Sequence, residues 1–202
     1  MRNRIRLAAS DDAKQIVSIY GPFCGESSVS FEIVPPSQED MMRRIVESVE
    51  EYPWLVCERD KLILGYVHAN RHRERAAYRW SVDVAAYIHE DYRGRGLGKV
   101  LYSVLLDTLR LQGFFIAYAG ITLPNTGSIG LHKSVGFQKI GVYHGVGYKV
   151  GAWHDVSWWE LFLQPEKTHP AEPKKVKKVI RGKKWKTTII EGERLLNEIA
   201  EP

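Results

Sequence analysis

Residues 93–99 read Arg93-Gly94-Arg95-Gly96-Leu97-Gly98-Lys99. An alternating apolar stretch precedes them and an amphipathic stretch follows. A strand, glycines and then a helix make an anion site. The first N–H groups of a helix have no intrahelical partner and point outward, where the helix dipole also favours negative charge. Glycine lets a phosphate reach the backbone with no Cβ in the way, and Arg93, Arg95 and Lys99 add positive charge. Spacing narrows the ligand. A Walker loop needs a glycine at position 93 and a hydroxyl residue at position 100, where this chain has Arg93 and Val100, so nucleotide hydrolysis is excluded. A dinucleotide fingerprint needs its third glycine one residue later than Gly98. The spacing that fits is R-x-x-G-x-G, met by Arg93, Gly96 and Gly98.

The elements that position this loop follow from periodicity. Tyr78 to His89 alternates as a strand, with Trp80, Val82, Val84, Ala86 and Ile88 on one face. Leu97, Val100, Leu101, Val104, Leu105 and Leu109 mark one face of the helix behind the loop. Upstream, Ile5 to Ala8 predicts a strand, and Ser10 starts a helix through Ala13, Ile16, Val17 and Tyr20. Ser37 and Asp40 open a second helix that Pro53 ends. Trp54–Glu58 and Leu62–Ala69 predict strands. Downstream, Phe114–Thr122 predicts a strand, Asn125–Val135 a helix closed by Gly136, and Phe137–Val142 and Val156–Leu163 the last strands. Helices alternate with strands, yet hairpins occur too. The fold class expected is α/β, with a mixed sheet flanked by helices.

Composition separates a body from a tail. The chain has 202 residues and a formal charge of +5. From Glu166 onward there are ten Lys/Arg against six Glu, leaving 19 basic and 18 acidic residues before it. The body is therefore almost neutral, which argues against a nucleic-acid surface on it. We expect a domain over residues 1–165 and a basic extension over 166–202. In the extension Lys174 to Lys178 reads as a solvated linker, and Leu195, Leu196 and Ile199 mark one side of a short helix. Contact of Lys174 to Lys186 with nucleic acid, or an arm on a partner subunit, are the other readings of this tail. No apolar run approaches the length of a membrane span, and Met1 to Leu7 is not a secretory signal. Cys24 and Cys57 lack metal-ligand spacing and read as reduced thiols of a cytoplasmic protein; no metal is expected.

The match to a known pattern runs beyond the loop. Phe31-Glu32, Ala77-Tyr78, Trp80-Ser81, Asp83, Tyr87-Ile88-His89, Leu123-Pro124-Asn125, Leu131-His132, Gly136-Phe137 and the block from Gly147 to Val156 stand with it. Together they resemble the GCN5-related (GNAT) N-acetyltransferases. The block from Lys149 to Val156 is similar to the phosphinothricin and methionine-sulfone N-acetyltransferase subgroup. The resemblance covers Ile5 to Pro165. It implies the acyl-CoA N-acyltransferase fold, a mostly antiparallel sheet splayed at two parallel strands, with acetyl-CoA in the gap. Ala86, Tyr87 and Ile88 would hold the pantetheine arm, Arg93, Gly94, Arg95, Gly96, Leu97, Gly98 and Lys99 the pyrophosphate, and Asn125 the pantetheine from the second strand. It also implies a homodimer.

The implied reaction is attack of an amine on a thioester. The amine must lose a proton, the carbonyl oxygen needs a hydrogen-bond donor, and the thiolate should gain a proton. Asp83 stands where the subgroup has a glutamate and is the expected base. An ordinary Asp, pKa about 3.9, is weak against an amine of pKa about 8 to 10 and needs burial or a water relay. His132 stands where relatives place the acid that protonates the thiolate. A backbone N–H near Tyr87 would meet the oxyanion. For the acceptor, Arg73 and Lys149 are candidate cations for a carboxylate, with Arg71 and Arg75 nearby in sequence, and Phe31 and Tyr78 are candidate pocket walls. The acceptor expected is a small amine, an amino acid or an analogue such as phosphinothricin or methionine sulfone. A peptide or protein amine, and a CoA-binding sensor without catalysis, stay open as alternatives.

Overall fold

A computed structural model describes residues 2–199. Met1 of the N-terminal reading and residues 200–202 of the extension lie outside them. The elements in chain order are β1 (Arg4–Leu7), α1 (Ala13–Tyr20), α2 (Pro22–Gly25), α3 (Gln38–Glu51), β2 (Trp54–Arg59), β3 (Leu62–Arg71), β4 (Ser81–Ile88), α4 (Leu97–Gln112), β5 (Ile116–Thr122), α5 (Thr126–Ser134), β6 (Gln138–Lys149), β7 (Ala152–Phe162), α6 (Val176–Val179) and α7 (Lys183–Glu198). The seven strands form one sheet in the order β1-β2-β3-β4-β5-β7-β6. Every neighbouring pair is antiparallel except β4 and β5. A parallel pair needs a crossover, and α4 supplies it. The α/β mixed sheet expected from the sequence is the fold observed.

Two apolar layers hold the sheet between its helices. On one face Leu101, Leu105 and Leu109 of α4 pack on Val67, Ala69, Val82, Val84, Ala117 and Ala119. On the other, Ile16 and Ile19 of α1 and Met41 and Ile45 of α3 cover Trp54, Val56 and Tyr66. The period-2 alternation of β4 is what serves both layers at once. Ser37 caps α3 as its position suggested, its Oγ accepting the Asp40 N–H at 3.0 Å.

Three boundaries differ from the sequence reading. β4 begins at Ser81, because Ala76–Tyr78 forms a 3-10 turn that brings the chain back from β3. β6 and β7 are longer than expected and pair down to Lys149↔Ala152. The ladder absorbs Gly141, Gly145 and Gly147 through irregularities between Lys139/Gly141 and Tyr143/Gly147.

The tail is the third difference. Its helix α7 has 16 residues and lies along α4 and β1. β1 is an edge strand, with unpaired backbone groups on its outer side. The Asn3 N–H donates to Asn197 Oδ1 at 2.7 Å and the Ile5 N–H to Glu193 Oε1 at 2.9 Å. The Asn3 side chain donates in turn to the Leu196 carbonyl. The lysine run predicted as a solvated linker contains α6, whose Val176 and Val179 are buried. Gly192 is the closest point of approach. A Cβ there would lie 2.5 Å from Val104 Cγ2 and 2.9 Å from Ile5 Cδ1. Gly192→Val should therefore destabilise the protein by about 1–3 kcal/mol, read as a lower urea midpoint.

Candidate active site

The parallel pair β4/β5 is paired only at Ser81↔Ile116, Val82↔Ala117 and Asp83↔Tyr118. Beyond that point β4 runs on to Ile88 and β5 to Thr122 with no pairing between them. The strands part at Asp83 and Tyr118. Val84 to Ile88 thus keep one edge paired with β3 and turn the other toward a gap. Such an edge accepts an extended ligand as an added strand would. Tyr87 is fixed by its side chain, which stacks on Tyr66 at 5.3 Å and meets Tyr20 edge-on at 4.9 Å. Burial pushes its hydroxyl up to about 12. Ala86 and Ile88 pack from the opposite face of β4 against the α4 layer.

The glycine loop follows at the open end of the gap. Gly94 and Gly96 adopt positive φ, +73° and +80°, a conformation that suits glycine. The first helical bond of α4 is Val100 N–H to Gly96 carbonyl, so the amides of Leu97, Gly98 and Lys99 lie in the first turn with no partner inside the helix. Leu97 is buried and anchors that turn. A Cβ on Gly98 would meet Leu131 at 3.3 Å and Ile88 at 3.5 Å, so this glycine also lets α4 sit close to α5 and β4. Around Gly94 the space is open. Arg93 folds back: its Nε donates to the Ile88 carbonyl at 3.0 Å and its guanidinium covers Phe23. Arg95 and Arg59 both lie over Tyr92. Arg59, at the end of β2, is a cation that only the pairing of the strands brings beside the loop. A pyrophosphate fits this loop, and a pantetheine arm fits the unpaired edge above it. Gly96→Val should raise the KM for acetyl-CoA at least about tenfold, because it forces a β-branched residue into the left-handed region at the helix start. Unchanged saturation by acetyl-CoA would contradict that placement.

Asn125 caps α5, its Oδ1 accepting the Ser128 N–H at 3.0 Å. Its side-chain amide N–H groups have no partner among the described residues, so they remain available from the β5 side of the gap.

At the point where the strands part, Asp83 meets a residue absent from the sequence reading. His72 Nδ1 lies 2.6 Å from Asp83 Oδ1. The His72 ring stacks on Tyr118 at 4.5 Å, and Tyr78 meets it edge-on. Arg73 is near enough to act on Asp83. Burial raises the Asp83 carboxyl above its ordinary range, opposed by the His72 hydrogen bond and by the charges of His72 and Arg73. Asp83, Tyr78 and Arg73 are thus brought together. Arg73 also lines a cleft of about 380 Å³ with Arg71, Arg75 and the tail residue Lys174.

Two candidates face elsewhere. His132 was expected as the acid for the thiolate, but it is buried. Its Nδ1 lies 2.7 Å from the Ser128 carbonyl, which can only accept, so that nitrogen carries the proton. Its Nε2 then accepts from the Tyr102 hydroxyl at 2.9 Å. Burial lowers its pKa, with the Ser128 bond opposing, so the ring is neutral near pH 7. The geometry packs His132 beside Tyr102 and Phe137, with its one proton committed to the Ser128 carbonyl. Lys149 was expected to meet a carboxylate. It is buried instead, and its ammonium donates to the carbonyls of Phe23, Ser30 and Glu32. All three of its protons are used, and its task is to hold the loop between α2 and α3. Phe31 belongs to that loop and lies on Gly147, where a Cβ would come within 2.3 Å of its ring.

Neither cysteine offers a covalent route. Both are buried, and burial pushes the Cys57 thiol up to about 12 and raises that of Cys24. Among the described residues no group of three or more His, Cys, Asp or Glu is arranged to hold a metal. No helix among them is long and apolar enough to cross a membrane.

Comparison with known proteins agrees with this geometry. The profile of the acetyltransferase (GNAT) domain matches residues 5–158. The phosphinothricin N-acetyltransferase of Streptomyces viridochromogenes is 33% identical over 170 residues, 84% of this chain and 93% of that one. The L-methionine sulfoximine/L-methionine sulfone acetyltransferase of Pseudomonas paraeruginosa is 31% identical over 84% of this chain and 100% of its own. Among solved structures, the phosphinothricin acetyltransferase of Sinorhizobium meliloti in complex with AcCoA superposes with a TM-score of 0.80 at 31% identity, covering 85% of this chain and 95% of that one. With its splayed parallel pair, its glycine-started helix and these relatives, the chain belongs to the GNAT acetyltransferases.

Proposed function

We propose that this protein transfers the acetyl group of acetyl-CoA to the amine of a free amino acid or analogue, of the phosphinothricin or methionine-sulfone kind, by direct attack in a ternary complex. The observation that carries the reading is the parting of β4 from β5 at Asp83↔Tyr118, directly upstream of a glycine-started helix. The edge formed by Ala86, Tyr87 and Ile88 would hold the pantetheine and thioester, with Asn125 facing them from β5. The loop from Arg93 to Lys99 would hold the pyrophosphate. Asp83 would supply the negative charge on which uptake of the amine's proton depends, and Tyr78, Arg73 and Phe31 would border the acceptor. Acetyl-CoA supplies an activated acyl group; the chain supplies orientation and a place for the proton. The reading places the enzyme in the cytoplasm, where acetyl-CoA is available.

The test is a panel of amino acids and analogues offered with acetyl-CoA, scored by free thiol. Release with an amino-acid analogue is the expected result. Release only with peptides would move the acceptor to a larger class, and no release with any amine would remove the enzymatic reading.

We also propose a homodimer. The outer strand β6 and its partner β7 expose Ile140, Tyr143, Val146, Tyr148 and Trp153, the last 69% accessible. An apolar edge of that extent favours a second copy. A solution mass of one chain would contradict it.

A further inference from the structure

A lone carboxylate is a weak base for an amine, since roughly four to six pKa units separate an ordinary Asp from an alkylammonium. The His72–Asp83 contact changes that balance. An ionised Asp83 has no proton to give, so the short contact requires His72 Nδ1 to carry one. In the neutral ring the lone pair then belongs to Nε2, which has no hydrogen-bond partner among the described residues. The ring stacks on Tyr118 and meets Tyr78 edge-on, and its side chain is only 12% exposed. It is positioned, and it sits where the strands part.

We propose that the general base is the pair His72–Asp83, with His72 Nε2 taking the proton and Asp83 fixing the tautomer and balancing the imidazolium charge. This rests on the acetyl-transfer reading above. The acceptor enters as an ammonium and gives one proton to Nε2, directly or through one water. Its freed lone pair forms the C–N bond to the acetyl carbonyl carbon. The C–S bond breaks with its electron pair on sulfur. The amine nitrogen then sheds a second proton, which leaves with the thiolate as CoA thiol, and His72 returns its proton to solvent. The sum is one N-acetyl product, one CoA thiol and one proton released.

The groups that face His72 are Asp83 from β4, Tyr118 from β5 and Tyr78 from the connection between β3 and β4, while the charge of Arg73 acts on Asp83. Because the two partners share one short hydrogen bond, the acid limb of the rate profile reports on the pair.

The experiment uses the full chain with two substitutions. His72→Asn keeps an N–H donor for Asp83 but has no basic nitrogen. His72→Phe keeps the stack on Tyr118 and removes both. In each, kcat/KM for the best amine of the panel should fall by about 10²-fold or more near neutral pH. The KM for acetyl-CoA should stay within about threefold, and the acid limb should move to lower pH. A weakly basic acceptor of the hydrazine kind, already unprotonated, should lose much less. Ring ¹⁵N shifts of His72 in the ligand-free protein should report the Nδ1–H tautomer. Full activity of His72→Asn with an unmoved acid limb, or an Nε2–H tautomer, overturns the pair alone. A wild-type protein inactive toward every amine overturns the acetyl-transfer reading together with it.

Discussion

Asp83→Asn is expected to fold as the parent does and to lose about 10²–10⁴-fold in kcat/KM for the amine, with little change in the KM for acetyl-CoA. Asn is nearly isosteric, and its amide oxygen can still accept the His72 Nδ1–H. What disappears is the charge. Without it the imidazolium that forms on proton uptake has no counter-ion, and the amide can equally turn its NH2 toward Nδ1, so the tautomer with a free Nε2 is no longer fixed. The size of the loss separates roles. A carboxylate that only bridges neighbouring strands would show a fall in stability and a small fall in rate. Steady-state kinetics beside a urea titration reads both. The sign with pH follows as well. The pair must be unprotonated to act, so wild-type kcat/KM falls as pH drops through its apparent pKa, and this limb should be displaced in Asp83→Asn.

Lys149→Met should lower stability by about 2–4 kcal/mol, because three carbonyls lose a charged donor at once. Met matches the length and apolar stem of lysine, so the cavity left is small and the loss reports the hydrogen bonds. The carbonyl of Phe23 in α2 and those of Ser30 and Glu32 in the loop after it are held together by this one ammonium, and that loop carries Phe31. Releasing it should also raise the KM for the amine while leaving that for acetyl-CoA in place. Had Lys149 met the acceptor's carboxylate, the same substitution would raise the amine KM with no loss of stability. Urea midpoints compared with amine saturation therefore distinguish the two.

These residues show where sequence reading succeeds and where it stops. The alternation over β4 and the glycines behind it were legible because both are local: one is a backbone period, the other a requirement for φ > 0 and close approach. Asp83 and Tyr78 were found through short blocks near that strand. His132 and Lys149 were recognised as chemically capable, but which way a side chain turns is decided by packing. One turns toward Tyr102 and the other toward the loop between α2 and α3. His72 lay unnoticed between Arg71 and Arg73. It reaches Asp83 only because the 3-10 turn at Ala76–Tyr78 returns the chain, and no period links positions 72 and 83. In the tail, Leu196 was legible as part of an apolar side, but its buried companions are Ile189 and Gly192, while Leu195 and Ile199 face outward, because the position of β1 and α4 decides which side is covered.

The central claim is direct transfer between two ligands bound together where β4 and β5 part. Initial rates over a grid of acetyl-CoA and methionine-sulfone concentrations test it most directly, with mass spectrometry of the protein after exposure to acetyl-CoA alone. Direct transfer gives intersecting double-reciprocal lines and an unmodified chain, consistent with two buried thiols whose pKa values are raised. Parallel lines together with an acetyl group retained on the protein would contradict it.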